Sequence, residues 1–183
     1  MVAAPVSKEE AKRVILEIVR QSPGDAVKGK ARIFKAFYFA HLYYAAEHFG
    51  YLTEWPIVKM EHGPGIHDFA SLVSELVQEE SLQAIPIKVG PYKSTKYRAV
   101  EQTQRQHGFS PDELAAIKAA AEFVADKTSA QLSEITHEYS RSWNSAQLGD
   151  ELRIYIDLLT DDDYSSMQKS SAKLDGEIAE IWG

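Results

Sequence analysis

A mainly helical α+β domain with one small β-hairpin or sheet is predicted by three features of the sequence. Apolar residues recur at helical spacing in six segments, several of which begin with capping residues. Two short extended segments flank a stretch that starts with Gly90 and Pro91, a pattern typical of a hairpin. The 183 residues are 44% apolar and 26% charged, without cysteine, which suits one domain with a full core and no disulfides. We therefore expect residues 1–183 to form a single compact domain.

Two helices are predicted in the first 50 residues. The first covers residues 8–20, opens with a capping box of Ser7 and Glu10, and stops at a Ser-Pro-Gly sequence. The second covers about 30–49 and carries seven aromatic residues. Because large aromatic side chains dominate cores, we expect this second helix to be the central packing element.

A turn rich in glycine and proline is predicted at residues 61–65, because this composition cannot continue a helix. It follows a short extended segment at 57–60 and precedes a third helix at about 66–80.

The predicted hairpin has strands at 84–89 and 96–100. Pro86 lacks a backbone N–H, so the first of these strands is expected at a sheet edge.

Three more helices are predicted in the second half. Ser110 and Pro111 begin the fourth, which runs to about Lys127, and Ser129 caps the fifth. Residues 141–150 are predicted to be irregular. A last helix spans 162–181, with an apolar stripe formed by Met167, Leu174, Ile178 and Ile181.

The charge excludes some classes of protein. The formal net charge is −7, and residues 106–183 hold 15 acids against 6 bases. An acidic surface repels phosphate backbones, so general nucleic-acid binding is disfavoured. No apolar run approaches the roughly 20 residues that span a bilayer, and the first ten residues lack the order of a secretory signal. We expect a cytoplasmic protein without a membrane segment.

The one basic concentration comprises Lys28, Lys30, Arg32 and Lys35. A solvated helix face explains this concentration better than a phosphate site. A regulator that binds nucleic acid through Lys28 to Lys35 is kept as one further hypothesis, besides the two given below.

Six histidines make metal binding worth considering. His62 and His67 flank the Gly-Pro-Gly turn, and Asp68 is adjacent, so a hydrolase or metal-dependent enzyme that uses these three residues is the alternative hypothesis. However, their spacing matches no common zinc motif, and no HExxH, GxSxG, P-loop or Rossmann fingerprint is present. We expect no metal, no cofactor and no catalytic residue.

Four segments in order resemble the SocA-like antitoxin, or Panacea, domain family. Residues 35–41 are similar to the family's K-L-L-Y-x-A helix, and residues 50–53 stand where it has a glycine and P-L-T. Residues 58–64 resemble its extended segment ending in G-P. Residues 132–143 match its L-S-x-x-[ST]-H-x-x-x-x-x-W signature, with His137 and Trp143 in place. The resemblance covers roughly residues 8–160, and residues 161–183 form a helical appendage outside it.

The chain departs from the family pattern at three places. His41 stands where the family often has Asp, and Tyr51-Leu52 replaces the residues around the family's proline. Gly65 and Ile66 follow the G-P where V-P is common.

The resemblance implies a bacterial or prophage-borne antitoxin that binds and neutralises a protein toxin encoded by the adjacent gene, without cofactor or reaction. The predicted partner-binding surface lies where the turn meets the end of the fifth helix; its residues are Lys35, Tyr38, His62, Gly63, Pro64, His137 and Trp143. In this hypothesis Gly63 and Pro64 shape the turn, while His62 and His137 donate hydrogen bonds. The alternative for each residue is that it only holds the fold together.

Overall fold

The computed structural model describes residues 5–100 and 108–182, with side chains described over 7–100 and 108–175. The helices are α1 (Pro5–Gln21), α2 (Lys30–Glu47), α3 (Phe69–Gln78), α4 (Pro111–Ala125), α5 (Ser129–Tyr139), α6 (Arg141–Ser145) and α7 (Asp161–Trp182). The strands are β1 (Ala26–Lys28), β2 (Ile57–Met60), β3 (Gly63–Ile66), β4 (Leu82–Val89) and β5 (Tyr92–Ala99). Two 3₁₀ helices cover Pro23–Asp25 and Ile154–Leu158. The predicted mainly helical α+β fold is confirmed.

Helix α2 lies at the centre of the core, as its aromatic content predicted. It packs against α1, α4 and β3. Phe37 and Tyr38 are almost fully buried, and Phe34 meets Phe69 of α3 edge to face, with ring centroids 4.9 Å apart. Aromatic pairs in this geometry stabilise a fold beyond the burial of their apolar area. This contact therefore links α2 to α3, the helix that follows the turn.

A buried cation joins α1 to α3. Lys12 is 3% exposed, and its ammonium lies 2.9 Å from Glu9, 2.5 Å from Glu79 and 3.4 Å from Glu75. Burial alone would lower the pKa of Lys12, but hydrogen bonds and charges from Glu79 and Glu9 outweigh it and raise this pKa.

The larger sheet has the antiparallel order β1-β5-β4. The predicted hairpin is present, but its strands are longer than expected, because the turn contains only Gly90 and Pro91. Gly90 has φ +58°, which permits this tight turn. Strand β1 was not predicted; its three residues are too short for a periodicity signal, and it forms only by pairing with β5.

Strands β2 and β3 form a separate two-stranded ribbon. The sequence predicted a turn over 61–65 and a helix from 66; both bounds were wrong, because Gly63–Ile66 pairs with Ile57–Met60 and is buried along its whole length. Helix α3 begins only at Phe69, after Asp68 in the left-handed region at φ 46°.

The predicted cap of α4 is confirmed, and two other helix starts were wrong. Ser110 and Glu113 form a reciprocal capping box. Helix α1 begins at Pro5 rather than after Ser7, since proline favours the first helical turn. Helix α5 is capped by Thr128 instead of Ser129, because Thr128 and Gln131 have the spacing of a capping box.

The segment predicted to be irregular contains the short helix α6. Its start is capped by the Ser140 hydroxyl, which accepts a hydrogen bond from the Trp143 N–H at 3.1 Å. The α7 stripe is described only in part, since the side chains of Ile178 and Ile181 lie outside the described ones. Within residues 5–100 and 108–182, no helix combines the length and apolar character needed to cross a bilayer.

Candidate functional site

The link between β2 and β3 is held from two sides through one carbonyl. The His62 carbonyl oxygen accepts a hydrogen bond from the Lys35 ammonium at 2.7 Å and another from the Ser133 hydroxyl at 2.9 Å. Lys35 projects from α2 and Ser133 from α5, so three elements converge on one backbone atom. The side chain of His62 itself is exposed.

Gly63 is required at this crossing. Its φ of +110° is a conformation that side-chain-bearing residues rarely adopt. An added Cβ would collide with the Lys35 ammonium and lie 2.6 Å from the Thr136 hydroxyl. Thr136 is itself buried and donates back to the carbonyls of Leu132 and Ser133. The close approach of the turn to α2 and α5 therefore depends on glycine.

Lys35 is 2% exposed and, among the described residues, meets no carboxylate within ion-pair distance. Burial lowers its pKa from 10.5 to about 7. The sequence predicted a solvated basic face for the run that contains Lys35; for Lys35 this was wrong, because packing turns its side chain into the domain.

A stacked cluster borders the turn. The His137 and Trp143 rings are nearly parallel, with centroids 4.1 Å apart, and the Lys59 ammonium lies 4.2 Å from the Trp143 ring. The indole N–H donates to the Met60 carbonyl at 2.9 Å. Lys59 also donates to the Ala146 carbonyl at 3.0 Å. Trp143 thus ties α6 to the end of β2 through both its ring and its N–H.

His137 lies in a cationic environment. Its pKa is lowered, first by burial and then by the charges of Lys35, His62 and Lys59. Its Nε2 atom is buried and has no hydrogen-bond partner among the described residues, although the ring as a whole is half-buried. The neutral imidazole is therefore the favoured form near neutral pH.

Tyr38 belongs to a second cluster, which is centred on Asp157. Its hydroxyl donates to Asp157 at 2.8 Å, and the same carboxylate accepts the Ser142 N–H at 2.8 Å and the Ser142 hydroxyl at 2.5 Å. The Ser140 hydroxyl adds a contact at 3.3 Å. Burial and then the charge of Asp157 raise the pKa of Tyr38, so the hydroxyl stays protonated and donates.

The structure brings five of the seven predicted partner-binding residues to one place: Lys35, His62, Gly63, His137 and Trp143. Pro64 adjoins them but is buried. Tyr38 is apart from them, in the Asp157 cluster. We use "the turn face" for the accessible part of this surface, made of Lys59, His62, Ser133, His137 and Trp143.

A shallow concavity of about 880 Å³ opens on the turn face. Its walls come from α5, the β2–β3 link and the start of α2; they are Ala31, His62, Ser129, Ala130, Ser133, Glu134, His137 and Glu138. Such a rim of imidazoles, hydroxyls and carboxylates is suited to hydrogen bonds with another polar surface.

The sequence did not single out Lys59, Ser133 or Asp157. Lys59 and Ser133 lie inside the matched motifs, next to residues that were selected. Asp157 lies between the apolar residues Ile156 and Leu158. A single carboxylate in an apolar run is rarely buried unless it is paired, and this was the signal that could have identified Asp157 as a functional residue.

The three residues of the alternative metal site are not gathered. His62 lines the concavity of the turn face, whereas His67 and Asp68 line another one, of about 1060 Å³, between α3 and the hairpin. Over the described ranges, no group of three or more His, Asp or Glu residues is placed to hold a metal ion.

The chain matches the family model described as antitoxin SocA-like, Panacea domain, over residues 33–144. The match begins within α2, ends in α6 and includes all seven predicted site residues. No curated protein and no solved structure matches the chain significantly. Because the matched region exceeds half of the sequence and contains the turn, the buried lysine and the His–Trp stack, this chain belongs to the SocA-like antitoxin family of Panacea domains.

Proposed function

We propose that this protein is the antitoxin of a type II-like pair, which binds and neutralises a protein toxin encoded by the adjacent gene. It acts by binding rather than by catalysis, in the cytoplasm of a bacterium or from a prophage. The observation that carries the proposal is the family match, which covers the whole turn face.

The proposed contact surface is the turn face. His62 supports this assignment because its backbone is held by Lys35 and Ser133 while its side chain remains exposed. A fixed backbone lowers the entropy cost of binding, since the loop is already ordered before the partner arrives. The Trp143 ring, stacked between polar neighbours and half-buried, has the amphipathic character that is enriched at interfaces.

The buried members of the predicted set have a different proposed role. Lys35, Gly63 and Pro64 position the turn, and Tyr38 positions α6 through Asp157. They therefore act on the partner only through the residues of the turn face.

The experiment is co-expression with the product of the adjacent gene. The wild-type chain should relieve growth inhibition by that product and co-purify with it. His62→Ala should lose most of both effects while its melting temperature changes little, because an exposed imidazole contributes little to stability.

His48→Ala is the matched control, since His48 is a partly exposed histidine at the end of α2, outside the turn face. It should protect as well as wild type. Failure of wild type to rescue growth and to co-purify would contradict the proposed function. Full protection by His62→Ala, with wild type active, would contradict only the assignment of the turn face.

A further inference from the structure

The three-stranded sheet has an outer face that combines apolar and basic side chains. Directly paired residues of neighbouring strands project to the same side of a sheet. The register pairs Ile85 with Lys96, Ile87 with Ser94 and Val89 with Tyr92. It also pairs Lys28 with Lys96 and Ala26 with Arg98. We call the resulting surface the outer sheet face; it comprises Lys28, Ile85, Ile87, Val89, Tyr92, Lys96 and Arg98.

The apolar part of this face is open to solvent. Ile85 is 37% exposed, Val89 53% and Tyr92 74%. The opposite side of the sheet is different, since Val27, Tyr97 and Ala99 are buried there in the core. An exposed row of aliphatic and aromatic side chains on a rigid hairpin marks a surface that another element covers.

The charge of this face has one sign. The strands β1, β4 and β5 carry five bases and no acid, in a protein whose net charge is −7. Three of the bases, Lys28, Lys96 and Arg98, are on the outer sheet face. A partner should therefore be acidic as well as apolar.

The edge of the sheet formed by β4 is protected against addition of a strand. The Val100 N–H donates to the Ser81 carbonyl, and the Gly29 N–H to the Thr95 carbonyl, which sets the alternation of hydrogen bonds on β5. By this alternation the even-numbered residues of β4 point their backbone groups toward the free edge. Pro86 is one of them and has no N–H to offer. The available surface is the face rather than the edge, and a helix fits a sheet face.

Helix α7 has the complementary properties. Residues 161–182 contain six acids and two bases. Its sequence places the apolar residues Tyr164, Met167, Leu174, Ile178 and Ile181 at three- and four-residue spacing on one stripe, which the polar Ser171 interrupts. The start of α7 lies against its own domain, since Arg141 contacts the Tyr164 ring at 4.8 Å and Tyr164, Met167 and Ser171 line a concavity shared with the second 3₁₀ helix. From residue 168 to 175 every side chain is exposed, including Leu174 at 56%.

We propose that α7 of one molecule packs on the outer sheet face of a second copy of this chain. Acidic residues of α7 meet Lys28, Lys96 and Arg98, while its apolar stripe covers Ile85, Val89 and Tyr92. The dimensions are comparable, since an eight-residue strand spans roughly 26 Å and residues 168–182 of the helix span roughly 22 Å. Pairing of two α7 helices with each other is disfavoured, because it would bring two strongly acidic helices together. This proposal does not depend on the proposed function.

The first measurement is sedimentation equilibrium of the full chain from low to high micromolar concentration, in 50 and 500 mM salt. We expect concentration-dependent species of at least twice the 20.5 kDa monomer mass at low salt, and weaker association at high salt. Lys96→Glu/Arg98→Glu and, separately, Leu174→Asp should each raise the dissociation constant by about tenfold or more. All substituted side chains are at least partly exposed, and circular dichroism checks that each variant is folded.

Lys88→Glu/Lys93→Glu is the matched control, because these two paired, exposed lysines are on the opposite face of the same hairpin and the change in net charge is the same. It should associate like wild type. The decisive sample is an equimolar mixture of Lys96→Glu/Arg98→Glu with Leu174→Asp. The first variant supplies an intact helix and the second an intact sheet face, so the mixture should associate more tightly than either variant does alone.

A chain that stays monomeric at all concentrations and at both salt levels overturns the proposal. Loss of association with Leu174→Asp alone, with Lys96→Glu/Arg98→Glu unaffected, would overturn it in favour of helix–helix pairing. Equal loss with Lys88→Glu/Lys93→Glu would also overturn it, since association would then follow total charge rather than the outer sheet face.

Discussion

The electrostatic cost of burial in the site falls on the Lys35 side chain. The Lys35 ammonium is buried and, among the described residues, has no carboxylate within ion-pair distance, which is unfavourable. The fold offsets this cost with a hydrogen bond to the His62 carbonyl and with a pKa lowered to about 7. In the unfolded chain the pKa of Lys35 is near 10.5, so its ammonium keeps its proton over a pH range in which Lys35 of the folded chain has lost it. The penalty is complete below pH 7 and is relieved as the pH rises toward 10.5.

Lys35→Met tests this relation. Between pH 7 and 9 the free energy of unfolding of wild type should rise by about 2 kcal/mol more than that of the variant. Urea denaturation of both proteins at pH 7, 8 and 9 measures the difference. Parallel pH profiles would show that Lys35 is not the group that titrates. The Ser133 hydroxyl still satisfies the His62 carbonyl in the variant, so the hydrogen bond from Lys35 is the only one lost there.

Gly63 is the second position at which one residue decides the local structure. Gly63→Ala should cost roughly 3 kcal/mol of stability, since it adds a collision with Lys35 and Thr136 to the strain of φ +110°. Gly149→Ala is the control: φ is +90°, but no heavy atom in the described part of the chain lies within 4 Å of an added Cβ, so the cost should be only about 1 kcal/mol. Thermal melts of the two variants compare these losses, and equal losses would show that crowding at Gly63 has no effect.

At the scale of elements, Asp157 connects three of them. The carboxylate belongs to the second 3₁₀ helix and accepts hydrogen bonds from Tyr38 of α2 and from the backbone and side chain of Ser142 in α6. Since α6 also carries Trp143, this cluster orients one wall of the turn face. The cluster is formed by Tyr38, two serines at 140 and 142, and Asp157. Tyr38 and Asp157 are far apart in the sequence, and no spacing rule connects them.

Asp157→Ala should destabilise the protein by roughly 2–4 kcal/mol, because the four donors of Tyr38, Ser140 and Ser142 lose their acceptor at once. Tyr38→Phe should cost about 1 kcal/mol, and the double variant less than the sum, since both changes remove the same hydrogen bond. Chemical denaturation measures all three. Asp150→Ala is the control, because Asp150 caps an exposed turn through the Gln147 N–H; its loss should stay below about 0.5 kcal/mol. Strict additivity would contradict direct coupling between Tyr38 and Asp157.

At the scale of the whole molecule, packing is unevenly distributed. Helices α1, α2 and α4 and the three-stranded sheet share one core, whereas every side chain of α7 from residue 168 to 175 is exposed. The charge is also unevenly distributed, since the acids accumulate beyond residue 105 whereas the three-stranded sheet is basic. We propose that residues 161–183 are an appendage to the domain that contains the matched region.

Removal of residues 168–183 should therefore leave the melting temperature within about 2 °C of wild type, measured at low protein concentration and 500 mM salt. Ile154→Ala, at a 6% exposed core position, is the contrast and should cost roughly 2–4 kcal/mol. A fall of more than about 5 °C on truncation would show that α7 belongs to the cooperative core.

The sequence by itself determined the elements whose signals are local. The cap of α4 was predicted correctly because Ser110, Pro111 and Glu113 interact within one turn. The central role of α2 followed from its aromatic residues. The family could also be recognised, because its motifs depend on residue identity and order.

Only the tertiary structure decided the roles of the site residues. Strand β3 exists because β2 pairs with it and α2 and α5 cover it, so no local pattern could distinguish it from a turn followed by a helix. Lys35 has the sequence context of a surface lysine, yet it is buried by elements that are distant in the chain. Burial and hydrogen bonding depend on which surfaces meet, and residues such as Lys35, Ser133 and Thr136 meet only after the chain has folded.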